Sequence, residues 1–155
     1  MCLERVWLVN TGVELYTIAD SGLDAFYTAL AQLHVDNSAY SDAINCYDQA
    51  YWLDCSQLAP LYQKVICYAS LEAWDEAIAV ITELPSDIPK EVDQVAYYAA
   101  VAESYHHTYQ ETGADSDKQK VIAACEAVLR LDKKDKAISK LLASYQNKKS
   151  WWRRE

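Results

Sequence analysis

Residues that reverse a chain tightly are scarce here: three Gly and three Pro among 155 residues. That excludes a fold of many short strands, each of which needs its own turn. No apolar run approaches the ~20 residues of a membrane-spanning helix. The opening Met1 to Val9 is too short, and meets the acid Glu4 too early, for a secretory signal. Bases are nearly missing from the first 117 residues, which carry 19 acidic side chains against Arg5, Lys64 and Lys90. Such a body repels polyanions, so nucleic acid and anionic membrane are not expected as its main partners. Residues 118–155 reverse the balance, with eleven bases and four acids.

The chain also lacks any Cys-x-x-Cys pair, and His34, His106 and His107 are not at zinc spacing. No cofactor or metal is therefore expected. Of the five cysteines, Cys46, Cys67 and Cys125 sit within helical apolar patterns. They read as small core residues of a protein in a reducing, cytoplasmic compartment. His106 and His107 beside Glu103 invite an acid–base reading, but neighbours on a helix point ~100° apart. No nucleophile accompanies them, so they read as a solvated rim and catalysis is not expected.

What is abundant is helix-forming material with a period. Ala39-Tyr40-Ser41-Asp42-Ala43-Ile44 returns 34 residues later as Ala73-Trp74-Asp75-Glu76-Ala77-Ile78. Self-similarity at that spacing marks a helical hairpin that buries its apolar face by stacking on the next copy. Three-and-four spacing predicts helices from Leu23 to about His34, through Ala43 to Asp54, Leu58 to Leu71, Trp74 to Leu84, Lys90 to Gln110, Lys118 to Leu131 and Asp135 to Lys148. Asp36-Asn37-Ser38 makes a turn, and Pro85 and Pro89 break the helix between the second and third hairpins. Ser116 and Asp117 are candidate caps for the next helix. The last helix is apolar on one side, at Ile138, Leu141, Leu142 and Tyr145, as a terminal lid should be. The organisation expected is an N-terminal helical extension (1–22), a repeat domain (23–147) and a basic aromatic tail (148–155).

These residues resemble the tetratricopeptide repeat family. In the first unit Tyr27, Leu30, Ala31, His34, Tyr40, Ala43, Tyr47 and Ala50 fall on the family's marked positions. Leu61, Val65, Tyr68, Trp74, Ala77 and Ile81 do so in the second, and Tyr98, Ala102 and Tyr105 in the third. Ser38 and Glu72 replace the turn glycine, and Cys55 the closing proline. The resemblance implies an all-α superhelix of about three hairpins plus terminal helices. Small Ala31, Ala43, Ala77 and Ala102 would let helices approach, and Tyr40, Tyr68, Trp74 and Tyr105 would be core.

A second resemblance begins earlier. Gly12, Ile18, Leu23-Asp24-Ala25-Phe26-Tyr27, Leu30 and Ala31 are similar to the start of class II chaperones of type III secretion. The Leu53-Asp54 ending, Cys67, and Trp74 followed by Ala77 and Ile78 are similar too. That family's Gly-Leu-Gly stretch is replaced by Gln63-Lys64-Val65.

In such stacks the first helix of each hairpin lines the inner wall. The resemblance assigns peptide-binding positions to Ala25, Thr28, Ala29 and Gln32, then Ala59, Tyr62, Gln63 and Ile66, then Ala96, Ala99, Ala100, Glu103 and His106. A small apolar floor with Gln and Tyr suits an extended or helical apolar segment of a protein client. Cochaperones that grip an acidic tail place cations on this wall; Thr28, Gln32, Gln63, Ala96 and Ala100 supply none. The function expected is a chaperone that holds a client segment, in its most specific form one serving a type III secretion translocator. The alternative is a scaffold that assembles a cytoplasmic complex. Val6, Trp7, Val9 and Leu15 are candidates for homodimerisation.

Overall fold

A computed structural model describes residues 22–146, and all its regular structure is helical. The helices are α1 (Leu23–Asp36), α2 (Tyr40–Leu53), α3 (Ala59–Ser70), α4 (Trp74–Glu83), α5 (Gln94–Thr112), α6 (Asp115–Leu131) and α7 (Lys136–Gln146). Consecutive helices pack on one another from α1 to α7, and α3 also packs broadly on α5. This is a stack of three hairpins, α1/α2, α3/α4 and α5/α6, closed by α7. An all-α helical repeat is what the 34-residue period predicts.

The turns explain how the first two hairpins come to be alike. Ser38 and Glu72, one repeat apart, both adopt left-handed backbone, with φ of 59° and 57°. In each turn the next residue bonds back across the helix end: Ala39 N donates to His34 O at 2.8 Å, and Ala73 N to Tyr68 O at 2.9 Å. Ser38 N to Val35 O (2.8 Å) and Glu72 N to Ala69 O (3.0 Å) complete two copies of a Schellman cap. Glycine is the residue such a position favours, because a Cβ in left-handed backbone costs about 1–2 kcal/mol. Ser38→Gly and Glu72→Gly are each expected to stabilise the protein by roughly 0.5–1 kcal/mol after the extra entropy of an unfolded glycine is subtracted. Thermal unfolding should show the double variant melting a few degrees higher; an unchanged or lower midpoint would refute the strain.

Two helix starts, those of α5 and α6, differ from the sequence expectation. α5 begins at Gln94 because the Asp93 carboxylate accepts hydrogen bonds from Val95 N (3.0 Å) and Ala96 N (3.1 Å). The residues before it, expected as helix from Lys90, are spent crossing the stack. α6 begins at Asp115, three residues ahead of expectation, with Ala114 at its cap. Ser116 and Asp117 are therefore inside the first turn, where acids suit the positive end of the helix dipole.

Two cores hold the stack. The larger joins α3 to α7 through Tyr62, Val65, Tyr97, Ala102, Tyr105, Val121, Cys125, Val128, Ile138 and Tyr145. The smaller joins α1, α2 and α3 through Ala31, Ala43, Ile44, Cys46, Tyr47 and Cys67. Ala31, Ala43, Ala77 and Ala102 are each 0% exposed, as close-contact residues should be. Tyr105 is buried too, while Tyr40, Tyr68 and Trp74 are half-buried against these clusters. Burial pushes the Cys67 thiol up to about 11 and, with Asp135 nearby adding to the effect, Cys125 to about 11, so both stay protonated. Cys46, Cys67 and Cys125 are free thiols. Cys55, in the turn after α2, is disulfide-bonded, so the reduced-core expectation does not extend to it.

Candidate functional site

The expected peptide wall is formed by α1, α3 and α5, and the three helices present it very differently. On α1, Ala25, Thr28, Ala29 and Gln32 are all exposed. Their neighbours explain why. α1 packs on α2 but has no contact with α3 comparable to that between α3 and α5. A hydrogen bond from Gln57 Nε2 to Asp24 Oδ2 (3.0 Å) ties the start of α1 to the α2–α3 turn. Gln32 Nε2 also donates to Asp36 Oδ1 at 3.0 Å, which holds its amide on the surface.

On α3 the wall is partly closed. Ala59, Gln63 and Ile66 are half-buried, but Tyr62 is 0% exposed and belongs to the larger core. This overturns its expected place on an open floor. One repeat earlier the same position is Thr28. At Tyr62 the segment between α4 and α5 passes over the helix, and the phenol donates to Pro85 O (2.6 Å) and Asp87 O (3.2 Å). The ring also meets Tyr97 edge-on, with centroids 5.1 Å apart. Burial, then the Asp87 carboxylate and Tyr98, hold the phenol above the ordinary tyrosine range. Ile88 and Val92 of the same crossing segment pack into the larger core, Val92 4% exposed. The sequence carried a signal for this strap: two prolines in five residues force an extended path whose carbonyls need a donor, and Tyr62 offers one.

On α5, Ala96 and Ala99 are half-buried, Ala100 is buried, and Glu103 is exposed. Partial desolvation, and secondarily Asp135, raise the Glu103 carboxyl above its ordinary value even so. His106 is not a free rim residue. Its Nδ1 hydrogen-bonds the Tyr145 hydroxyl of α7, and its Nε2 lies 2.9 Å from Gln110 Nε2. An amide nitrogen only donates, so Nε2 accepts and the Nδ1 proton points to Tyr145. Desolvation, then His107, lower the pKa of His106, which keeps it neutral in this role. His107 turns the other way and stacks on Trp74, with centroids 5.4 Å apart and planes 24° from parallel. The two imidazoles do diverge, as helix geometry requires: His106 is tied to α7, while His107 stacks on Trp74 with 44% of its side chain exposed.

The wall is thus open at α1, half-open at α3 and largely claimed by structure at α5. Among the described residues, no group of three or more His, Cys, Asp or Glu is arranged to hold a metal ion, and no helix is long and apolar enough to cross a membrane. Val6, Trp7, Val9 and Leu15, expected at a dimer contact, and the tail from residue 148 lie outside the described residues.

No curated protein matches the chain. A family model does: residues 13–84, just under half of the chain, match the family described as anaphase-promoting complex, cyclosome, subunit 3. That family is built of tetratricopeptide-type repeats, and the matched stretch takes in the first two hairpins with both left-handed turns. Hairpin geometry, the 34-residue period and this match agree on an all-α repeat of tetratricopeptide type, an architecture for contact between proteins.

Proposed function

We propose that this protein binds an apolar segment of a client protein along the inner wall of its stack, chiefly at α1. The observation that carries the reading is the exposed run Ala25, Thr28, Ala29 and Gln32 on α1, with Gln63 and Ile66 half-buried on α3. Small side chains let a peptide backbone approach, and the Gln amides can hydrogen-bond it. No cation lies among these residues, so an apolar or neutral segment fits better than an acidic one. The finer form of the proposal is a chaperone that shields a translocator segment before type III secretion. It rests on the resemblance of Leu23 to Ala31, Cys67 and Trp74 to that family's sequences.

The test uses uncharged, fluorescently labelled 15-residue peptides rich in Leu and Ala, titrated with the full chain. Binding should weaken about tenfold or more, ~1.4 kcal/mol, in the Ala29→Arg/Gln32→Arg variant. Asp75→Arg on the exposed side of α4 should leave it unchanged. If the peptides do not bind, or bind the two variants equally, the inner-wall reading is wrong.

A second reading, an adaptor subunit within a larger assembly, is favoured by one observation. The family matched over residues 13–84 is named for a subunit of a complex. In that case capture of a folded partner would survive Ala29→Arg/Gln32→Arg.

A further inference from the structure

The chain has five cysteines, and the described ones divide into two kinds. Cys46, Cys67 and Cys125 are free, whereas Cys55, half-buried in the turn after α2, is disulfide-bonded. The free thiols belong to the cores: Cys67 is 1% and Cys125 0% exposed, and Cys46 clusters with Ala43 and Tyr47. Burial, above all, holds these three thiols above the ordinary cysteine range, so they supply little thiolate for exchange.

We propose that Cys55 pairs with Cys2, the one cysteine left, and that this bond is a redox-controlled staple on the first hairpin. The pairing follows by elimination within one chain. Its effect follows from the order of the elements. Cys2 precedes α1 in sequence and Cys55 follows α2, so the bond closes a loop containing α1 and α2 and no other described helix. That hairpin is the least anchored part of the stack. Ala31 is the one buried residue of α1, while Phe26 is 57% and Leu33 58% exposed. The hairpin joins the rest mainly where α2 packs on α3, through the smaller core, whereas α3 to α7 share the larger one. The turn that carries Cys55 is itself fixed. The Asp54 carboxylate accepts from Ser56 N (3.0 Å), Ser56 Oγ (2.6 Å) and Gln57 Nε2 (2.9 Å), and Gln57 Nε2 also reaches Asp24 of α1. A cross-link held there removes conformations from the opened hairpin, and the effect grows with the length of the loop it closes.

Closure is thiol–disulfide exchange with a small disulfide such as oxidised glutathione. The Cys2 and Cys55 thiols are oxidised and form one S–S bond; the oxidant's S–S bond breaks and leaves as two thiols carrying both protons. A dithiol reductant runs the exchange backwards. In a reducing compartment such a bond forms only transiently, which suits a switch. Because α1 carries the wall proposed above for client binding, reduction would also loosen that wall. This last consequence rests on that reading; the staple does not.

Mass-spectrometric peptide mapping of the oxidised, thiol-blocked monomer should give one cross-linked pair, Cys2 with Cys55. Hydrogen exchange on the full chain then reads the effect. After reduction by a dithiol, amides of α1 and α2 should exchange about thirtyfold or more faster, while those of α5 and α6 change less than twofold. Cys2→Ser and Cys55→Ser should each reproduce the reduced pattern and remove its response to reductant. The proposal is overturned if Cys55 is cross-linked to a second copy or to another cysteine. Exchange in α1 and α2 that ignores reduction would overturn it, as would acceleration spread evenly over all seven helices. If the Leu- and Ala-rich peptides fail to bind, the exchange pattern is still expected, so the two readings fail separately.

Discussion

Tyr62→Ala is expected to cost about 3–5 kcal/mol of folding stability, the usual range for truncating a fully buried large side chain. Against a total of roughly 5–15 kcal/mol for a domain, that would leave the variant barely folded. The cost has two physical parts. The ring fills the space between α3 and α5, where it meets Tyr97 edge-on. Its hydroxyl satisfies the carbonyls of Pro85 and Asp87, which no helix can pair. Tyr62→Phe separates the parts: it keeps the ring and should lose about 0.5–1.5 kcal/mol with the hydrogen bond, since Pro85 and Asp87 lie on the exposed segment. Urea unfolding followed by circular dichroism measures both. A loss below about 1 kcal/mol for Tyr62→Ala would return the residue to the surface role expected from its register.

Ala102→Leu is the second large effect. Ala102 is 0% exposed within the larger core, where α5 packs on α3, α4 and α6. Three added carbons have no void to enter, so neighbouring helices must part or adopt poor rotamers, at about 1–3 kcal/mol. Ala137→Leu on the exposed side of α7 makes the control and should stay within about ±0.5 kcal/mol. If both variants unfold at the same urea concentration, close helix approach at Ala102 is not what sets the packing.

The alanines, aromatics and turns were legible in the sequence because each is dictated by the repeat itself. Ala31, Ala43, Ala77 and Ala102 recur at fixed offsets, and the same offsets put Ser38 and Glu72 where a glycine belongs. Tyr62 was misread by the same logic. Its register is that of Thr28, and only the path of the segment from Leu84 to Val92 decides that one is sealed and the other open. That path is a long-range choice with no period to betray it. His106 fails for a related reason: its partner Tyr145 lies 39 residues on, in a helix whose docking had to be known first. The open wall at α1 follows from how little of α1 packs on α3, which no local pattern encodes.

Lys64 bears on how the hairpins find their order. Its side chain is 11% exposed and pairs with Asp48. One repeat back the position holds Leu30, and in the third hairpin Val101. A chain that stacked α3 on α4 of another copy in place of α2 would offer Lys64 the hydroxyl of Thr82 where Asp48 should be. An ammonium enclosed without a counter-ion costs several kcal/mol. A lysine at this position would therefore disfavour stacking of α3 on any helix that lacks the carboxylate of Asp48.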